Sequence, residues 1–288
     1  MGERSQRWSG PSMAQQAEKV FLINLDRSVD RLAHMQQQFD RLGMTVERLP
    51  AAEGLNIPAW MRSEFKGAHQ LSPGEVGCYA SHLIVAHRIV AEQLPYAVAL
   101  EDDAVLDDDF LAACADAVRH APEDWDLIHL SAASSTKRPV VRVADLCRGR
   151  TLVRYLKYPW TAAAYIISNR GARKCLAPMA RVRPIDWANR YPWMQGLNEF
   201  GVHPAPASQK PDVASEIGFC RAHERRNFSP GLPSILYGAW WTTRQIGHGT
   251  YLRARTTTLF NSLRRRLGGR PRVVITTSTA RADAATQP

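Results

Sequence analysis

The stretch Tyr96-Ala-Val-Ala-Leu-Glu-Asp-Asp103 decides how the chain folds. Its first five residues are almost wholly apolar, which is typical of a strand buried on both faces of a sheet. Glu101, Asp102 and Asp103 follow that strand directly. Because open α/β sheets bind ligands at the carboxyl ends of their strands, the stretch predicts hard oxygen ligands at such an edge. Alternate residues of an extended chain point to one side, so Glu101 and Asp103 are expected to face one ligand.

The first fifty residues predict the opening of a parallel sheet. Lys19–Leu25 and Thr45–Leu49 both have the apolar pattern of buried strands. Between them, apolar residues recur at helical spacing from Val29, with Ser28 as the predicted N-cap and Gly43 as the predicted stop. A strand, a helix and a strand in this order are typical of an α/β protein.

A second helix is predicted from Ser72, and two independent signals mark its start. Ser72 and Glu75 have the spacing of a capping box, and Pro73 occupies the first helical position. Residues three and four apart on a helix share one face, which places several polar side chains together. The residues predicted to share that face are Cys78, Ser81, His82 and Val85.

The remaining elements follow the acidic stretch. The acids 107–109 are predicted to favour the N-terminus of a helix over 110–119, capped by Asp109, because the helix macrodipole attracts negative charge there. Residues 126–130 predict another strand, and 132–150 a basic loop. The apolar segment 161–168 begins with small residues and precedes a short helix.

The composition favours one large folded domain with an anionic partner. The chain has 288 residues, of which 45% are hydrophobic and 22% charged, so it can bury a substantial core. The net charge of +10 and the pI of about 9.7 favour a nucleotide, a nucleic acid or an anionic membrane. We expect a disordered tail over 1–17, a main domain over 18–230, and a basic, Trp-containing extension over 231–288 that is partly disordered.

The extension allows three interpretations: a packed terminal helix, a disordered tail, or a segment attracted to anionic lipid. The sequence contains no run of about 18 apolar residues and no apolar core of a signal peptide. Its five cysteines are widely spaced, without the pattern of a zinc site or a disulfide framework. The predicted location is cytoplasmic, with peripheral contact at the inner face of the membrane.

Several separated stretches together resemble glycosyltransferase family 25. These are residues 21–31, the Ala-Ala-Glu-Gly at 51–54, the segment 71–82 and the Ala-Leu-Glu-Asp-Asp at 99–103. Each motif is weak alone, but four in order are specific. The family includes bacterial lipooligosaccharide galactosyltransferases and animal collagen galactosyltransferases. Two later segments, 163–168 and 184–186, fit it as well.

The resemblance implies a fold and a chemistry. The expected fold is an α/β domain of GT-A type, Rossmann-like, with a mixed, mostly parallel sheet flanked by helices. The expected donor is a UDP-hexose, the cofactor Mn²⁺ or Mg²⁺, and the reaction inverts the anomeric carbon. A divalent cation suits the acidic motif because it neutralises a diphosphate and needs few protein ligands.

The resemblance also assigns roles by position. Asp103 becomes the chief metal ligand, assisted by Glu101, and His203 is a candidate to complete the metal shell. Glu53 stands where the family more often has Asp, which leaves its contact with the nucleotide in doubt. The residues expected to bind the donor are Asn24, Leu25, Arg27, Arg31, Glu53, Gly74, Glu75, Ser81, His82, Glu101 and Asp102.

Four of these residues also have ordinary structural explanations. Arg31 fits a solvated helix face, and Glu75 has a sufficient task in the capping box. Ser81 and His82 could pack internally as polar core residues.

Asp186 is the predicted general base, because an inverting transfer needs a group that accepts the proton of the acceptor hydroxyl. It lies in an aromatic-rich stretch where rings can stack on sugars and burial can raise a carboxylate pKa. A role as helix N-cap after Pro184 is the alternative. His129 and Gln209 are weaker candidates for the site.

The sequence therefore predicts a hexosyltransferase that moves a hexose, with galactose favoured, from a UDP-sugar to a hydroxyl of a cell-surface glycan such as lipopolysaccharide. The acceptor is a saccharide, which includes a lipid-linked one. A protein hydroxylysine acceptor is an alternative within the same chemistry. A non-enzymatic protein that binds anions or nucleic acid is a different class, which the dispersed basic residues disfavour. A catalytically dead relative that binds UDP-sugar is a third.

Overall fold

The computed structural model describes residues 19–54, 56–131, 139–210, 231–266 and 274–275. The predicted tail, 1–17, lies outside these ranges. The strands are β1 Val20–Asn24, β2 Glu47–Pro50, β3 Tyr96–Glu101, β4 Ala104–Leu106, β5 Leu127–His129, β6 Val140–Asp145, β7 Thr151–Tyr155, β8 Ala164–Ser168, β9 Glu199–His203, β10 Ala207–Gln209 and β11 Val274–Ile275. The helices are α1 Val29–Leu42, α2 Pro73–Ala91, α3 Phe110–His120, α4 Asn169–Cys175, α5 Ile185–Ala188, α6 Leu232–Ile246 and α7 His248–Arg266, with 3-10 turns at Ala59–Phe65, Cys147–Gly149 and Pro192–Met194.

Nine strands form the main sheet in the order β11-β6-β7-β9-β5-β8-β3-β1-β2. Strand β1 pairs in parallel with β2 and β3, whereas β8 runs antiparallel to both β3 and β5. The predicted α/β class with a mixed sheet is confirmed. Within the described residues, however, the sheet has four parallel and four antiparallel pairings, so it is evenly mixed rather than mostly parallel.

Helices cover both faces of the sheet, because the strands in its middle are apolar on both sides. Val98 and Leu100 of β3 belong to the core beneath α1 and α3. Ala97 and Ala99, from the alternate positions, belong to the core beneath α2 and α4. Burial on both faces explains the unbroken apolar run before the acids.

The predicted helix ends are largely confirmed. Ser72 and Glu75 form the capping box at the start of α2, with each side chain accepting from the other residue's backbone N–H. Gly43 ends α1 in the left-handed conformation, at φ 62°. Ser28 stands at the N-cap position of α1 but makes no capping hydrogen bond through its side chain.

The prediction of a loop over 132–150 is wrong where the structure describes that range. Residues 140–145 form β6, which pairs antiparallel with β7. In its second half half-buried and exposed side chains alternate, with Arg142 and Ala144 half-buried and Val143 and Asp145 exposed. Residues 132–138 lie outside the described residues.

The acids after β4 are held by arginines rather than by a helix terminus, which corrects the predicted cap. Asp109 precedes α3 but makes no capping hydrogen bond through its side chain. Both of its carboxylate oxygens instead accept from Arg150, at 3.0 and 2.6 Å, and Asp107 accepts from the same guanidinium at 2.8 Å. Asp108 pairs with Arg41 at the surface. These contacts tie the start of α3 to the start of β7.

Asp109→Asn is expected to lower the free energy of unfolding by about 2 kcal/mol at pH 7, because it leaves the buried Arg150 poorly compensated. Hydrogen bonds from Arg150 lower the pKa of Asp109. Its stabilisation is therefore present above the unfolded pKa, about 3.9, and is lost as the pH falls through the lower folded value. Urea unfolding at several pH values measures this, and the gap between wild type and variant should narrow below about pH 4.

Asp108→Asn is the matched control for that experiment. Its ion pair with Arg41 is exposed, so the change should cost less than about 1 kcal/mol. Equal losses in the two variants would contradict the assignment of Asp109 as the structural acid.

Candidate active site

The three acids at the end of β3 point to two sides of the chain, as their alternation predicts. Glu101 closes β3, and Asp102 and Asp103 form the turn into β4. Glu101 and Asp103 act on each other electrostatically, since the charge of Glu101 helps to raise the pKa of Asp103. Asp102 is turned toward β1 and α1. One acid is thereby separated from the other two.

Asp102 binds two of the residues that the sequence predicts to contact the nucleotide. Asn24 donates from Nδ2 to one carboxylate oxygen at 2.7 Å, and Arg31 donates to the other at 3.0 Å. Asn24 is buried, and its Oδ1 accepts from Arg48 at 2.8 Å. The Asn24 side chain therefore joins β1, β2 and the acidic turn, and its predicted contact with the donor stays a prediction. Asp102 likewise is a positioning residue.

Asp102→Ala is expected to lower the free energy of unfolding by about 2–3 kcal/mol, because it leaves the buried Asn24 amide and the largely buried Arg31 without this acceptor. Chemical denaturation measures the loss. Asp26→Ala is the control: Asp26 belongs to an exposed Asp–Arg pair at the same edge of the sheet, with Arg48 as its partner. The control should lose less than about 1 kcal/mol. A stable Asp102→Ala protein would show that Asp102 does not position the turn.

Arg27 and Glu53 lie together on the rim of this edge. Arg27 donates to Glu53 at 2.5 Å, and both side chains are about half exposed, at 55% each. They follow β1 and β2, whose carboxyl ends lie side by side. Leu25, half-buried, follows β1 directly. These residues are where the sequence predicts a nucleotide to lie, and their accessibility is compatible with that role.

Glu101 is held by residues of α2. His82 Nε2 lies 3.0 Å from Glu101 Oε1, and the thiol of Cys78 donates to the same oxygen at 3.8 Å. His82 Nδ1 lies 2.8 Å from the hydroxyl of Tyr165 on β8. The histidine is buried between the two and so fixes the carboxylate. His82 therefore contacts the Glu101 carboxylate, and its predicted contact with the donor stays a prediction.

The hydroxyl of Ser81 is engaged with two backbone groups, and its predicted contact with the donor stays a prediction. Its hydroxyl is fully buried, donates to the carbonyl of Gly77 at 2.8 Å and accepts from the backbone N–H of Ala52 at 2.9 Å. A Cβ on Gly77 would lie 2.4 Å from the Ala52 carbonyl oxygen. Ser81 and Gly77 thus hold the Ala-Ala-Glu-Gly loop against α2. Glu75 caps the helix, as its structural alternative predicts.

Asp103 carries a carboxylate oxygen without a partner. Its Oδ1 is buried and has no hydrogen-bond partner among the described residues, while Oδ2 accepts from Gln209 at 3.3 Å. Burial, followed by the charges of Glu101 and Asp102, raises the pKa of Asp103 to about 6. A buried acceptor with nothing to accept from is costly, so the site fits a ligand that brings positive charge.

Asp186 joins this cluster from the first turn of α5, and Pro184 rather than Asp186 is the N-cap. Desolvation in the cleft raises the pKa of Asp186 to about 8, and the charges of Glu101 and Asp103 act in the same direction. Asp186 is exposed, so repulsion from the carboxylates of Glu101 and Asp103 is the physical cause that best accounts for its raised pKa. A backbone hydrogen bond from Ala162 opposes the shift. Glu101, Asp103 and Asp186 therefore lie close enough for their charges to act on one another.

Two further histidines, His203 and His129, were also candidates from the sequence. His203 ends β9, half-buried, and burial lowers its pKa. Its proposed role in completing the metal shell stays a prediction. His129 is buried against Glu199, with Nε2 2.9 Å from the carboxylate. His129 is therefore part of the core.

The residues present fit a hard divalent cation. The converging ligand atoms within 4.8 Å of one another are those of Cys78, His82 and Glu101. Burial and the charge of Glu101, however, raise the pKa of the Cys78 thiol well above its usual value, so Cys78 is a poor ligand. The oxygens of Asp103 and Glu101 suit Mn²⁺ or Mg²⁺ better. The orphaned Asp103 oxygen marks the position such an ion would satisfy.

Two residues that contact this cluster, Cys78 and Tyr165, were given no role from the sequence. Cys78 and His82 are four residues apart on α2, and this spacing carried the signal that both could reach Glu101. Tyr165 lies in the apolar segment 161–168, where no local pattern reveals that its hydroxyl meets a histidine. Gln209, a weaker candidate, does reach Asp103.

Comparison with known proteins identifies the family of the chain. A family model described as Glycosyltransferase family 25 (LPS biosynthesis protein) matches residues 17–188, more than half of the chain. A glycosyltransferase 25 family member of Drosophila pseudoobscura pseudoobscura is 29% identical over 184 residues, which cover 59% of this chain and 29% of that protein. A Mus musculus protein named inactive glycosyltransferase 25 family member 3 is 31% identical over 222 residues, covering 66% of this chain and 36% of that protein.

A human protein, procollagen galactosyltransferase 2, is 26% identical over 191 residues, covering 59% of this chain and 29% of that protein. The chain therefore spans about a third of the length of these curated relatives. The matched range contains both the acidic turn after β3 and Asp186 on α5. On the strength of that match, the chain belongs to glycosyltransferase family 25.

Proposed function

We propose that the protein is a metal-dependent, inverting glycosyltransferase that moves a hexose, with galactose favoured, from a UDP-sugar to an acceptor hydroxyl. The observation that carries the proposal is the buried oxygen of Asp103, which has no partner among the described residues and is close enough to Glu101 and Asp186 for their charges to interact. Such a cluster is unfavourable on its own and is suited to a cation and an anionic substrate.

Asp103 and Glu101 would hold Mn²⁺ or Mg²⁺. When bound, the ion supplies positive charge that offsets the negative charge of the donor's diphosphate as it leaves. His82 and Tyr165 keep the Glu101 carboxylate oriented, and the pair of Arg27 and Glu53 lies on the rim where the nucleoside would be accommodated. Orientation of ligands by such outer contacts is a general feature of metal sites.

Asp186 is the proposed base. The acceptor oxygen forms a bond to the anomeric carbon from the side opposite the diphosphate, and the bond from that carbon to the diphosphate oxygen breaks. The proton of the acceptor hydroxyl passes to the Asp186 carboxylate. The electrons of the broken bond leave with UDP. A single displacement of this kind inverts the anomeric carbon.

The acceptor proposed first is a hydroxyl of a cell-surface glycan, since the family description names LPS biosynthesis. A lipid-linked saccharide is included. A hydroxylysine of a protein is the second candidate, because one relative is named procollagen galactosyltransferase 2. Cytoplasmic location stays part of the proposal.

A second candidate function is a sugar-nucleotide-binding protein without turnover. It is motivated by the relative whose name includes inactive. Against it, this chain keeps the carboxylates that the chemistry needs, and they lie close enough for their charges to act on one another.

A screen of UDP-sugars with and without Mn²⁺ tests the proposal. Thermal unfolding measures binding, and release of UDP measures turnover. We expect one UDP-hexose to stabilise the protein only with the metal, by about 2.7 kcal/mol at a hundredfold excess over Kd, and to be slowly hydrolysed. Stabilisation without any UDP release, with all acceptors tried, would favour the inactive candidate. No stabilisation, together with salt-sensitive binding of duplex DNA, would favour a nucleic-acid-binding protein.

A further inference from the structure

Helix α6 turns most of its large apolar side chains away from the protein, while Trp241 and Ile246 are half-buried. Leu232, Ile235, Leu236 and Trp240 are 68%, 51%, 62% and 50% exposed. Their spacing of three, four and eight residues from Leu232 places them on one face of the helix. Gly238 and Thr242 are the buried positions. This is the reverse of an ordinary surface helix, which buries its apolar stripe.

Small and polar groups attach α6 to the rest of the protein. Trp193 donates from its indole nitrogen to Ser234 at 3.1 Å, and its ring packs so closely on Gly238 that a Cβ there would lie 2.5 Å from it. Gln245 accepts from Arg154 at 2.7 Å. These contacts fix which side of α6 faces inward. They therefore also determine that its apolar side faces outward.

Helix α7 has the same reversed character. Leu252, Leu259 and Phe260 are 65%, 72% and 63% exposed, whereas Ala254 and Asn261 are buried. Ala254 packs on Val141 of β6. Two consecutive helices therefore present bulky apolar residues to the solvent and small or polar ones to the core. An apolar surface of this kind marks an interaction site.

The charge on this segment selects the partner. The sequence from 231 to 266 contains six arginines and no aspartate or glutamate. One of them, Arg244, lies over the ring of Trp240 at 5.5 Å, so basic and apolar groups are interleaved. Two copies meeting through such surfaces would bring like charges together. A surface that is both apolar and anionic complements them.

We propose that the outward faces of α6 and α7 lie on an anionic membrane surface, with the apolar side chains among the acyl chains and the arginines at the lipid headgroups. Among the described residues, no helix has the length and apolar character needed to cross a bilayer. The geometry is that of helices lying in the interface. Basic residues contribute to such binding by attraction to anionic lipid.

Vesicle flotation tests the proposal with the full chain. Vesicles of phosphatidylcholine with about one third phosphatidylglycerol should bind the protein, pure phosphatidylcholine much less, and about 1 M salt should release it. Leu236→Ser combined with Trp240→Ser should weaken binding more than about tenfold. Arg244→Gln, Arg253→Gln and Arg255→Gln together should weaken it about a hundredfold, at about fivefold per arginine.

Leu111→Ser is the matched control, since Leu111 is a partly exposed apolar residue of α3. It should bind vesicles like the wild type. All substituted side chains on α6 and α7 are exposed, so the melting temperature should not change, which separates lost binding from lost folding. Equal binding to both kinds of vesicle would overturn the proposal. So would self-association in sedimentation that the Leu236 and Trp240 changes abolish without vesicle binding, because the partner would then be a second copy.

Discussion

Asp103→Asn is expected to abolish the Mn²⁺-dependent stabilisation of the protein by UDP, while making the protein without ligand slightly more stable. The first effect follows because Asp103 supplies the partnerless oxygen proposed to hold the ion. The second follows because the raised pKa of Asp103 shows that its charged form is disfavoured in the fold. A raised carboxylate pKa opposes folding at pH 7, and the amide removes that penalty.

The two effects have different sizes. Loss of the metal ligand should lower metal-dependent turnover by about a thousandfold or more, since electrostatic stabilisation of the leaving group is a large part of such catalysis. The gain in free energy of unfolding should be about 1 kcal/mol, less than the pKa shift alone would give, because the cleft is open to water. Thermal unfolding with UDP, with and without Mn²⁺, measures both.

Asp108→Asn serves as the control, because it removes a carboxylate five residues further along whose partner is the exposed Arg41. It should leave the metal-dependent shift unchanged. An Asp103→Asn protein that keeps the full metal-dependent shift would contradict the central assignment. If stability rises while donor binding is lost, misfolding cannot explain the loss.

Asp186→Asn is expected to remove sugar transfer while sparing donor binding. The change keeps the shape of the side chain but removes the group that accepts the proton. Because a general base typically contributes about 10²–10⁴-fold to the rate, the rate of transfer should fall by about that factor. Because Asn keeps the shape of the side chain, the Kd values for the metal and the donor should change by less than about tenfold.

The measurement compares Kd for UDP, from thermal shifts, with the rate of transfer to a glycan acceptor. The first should stay nearly constant and the second should collapse. Transfer that continues at the wild-type rate would exclude Asp186 as the base. Loss of both would instead indicate that Asp186 helps to hold the metal.

Local signals in the sequence were sufficient for some elements. The capping box at Ser72 and Glu75 places the start of α2, because both partners lie within one turn of chain. The apolar run ending in acids identifies β3 and its two-sided burial. The alternation of an extended chain also separates Asp102 from Glu101 and Asp103.

Other features depend on partners distant in sequence. The contact of Asp109 with Arg150 spans 41 residues, so the acid looked like a helix cap. The resemblance places Asn24 and Arg31 near the nucleotide, but the hydrogen bonds of both to Asp102 join residues 78 and 71 positions apart, which no local pattern indicates. Strand β6 was missed because a short, partly polar strand is defined by its neighbours more than by its own residues.

The position of β9 bears on how this protein can be divided. The range that matches the family ends at residue 188, before β9, yet β9 lies in the interior of the sheet and pairs with both β5 and β7. A recombinant fragment cut at that limit would have a gap between those two strands and unpaired edges prone to aggregation. The range that the family model matches is therefore shorter than the sheet it belongs to, and we expect a fragment to need residues past His203 to complete that sheet.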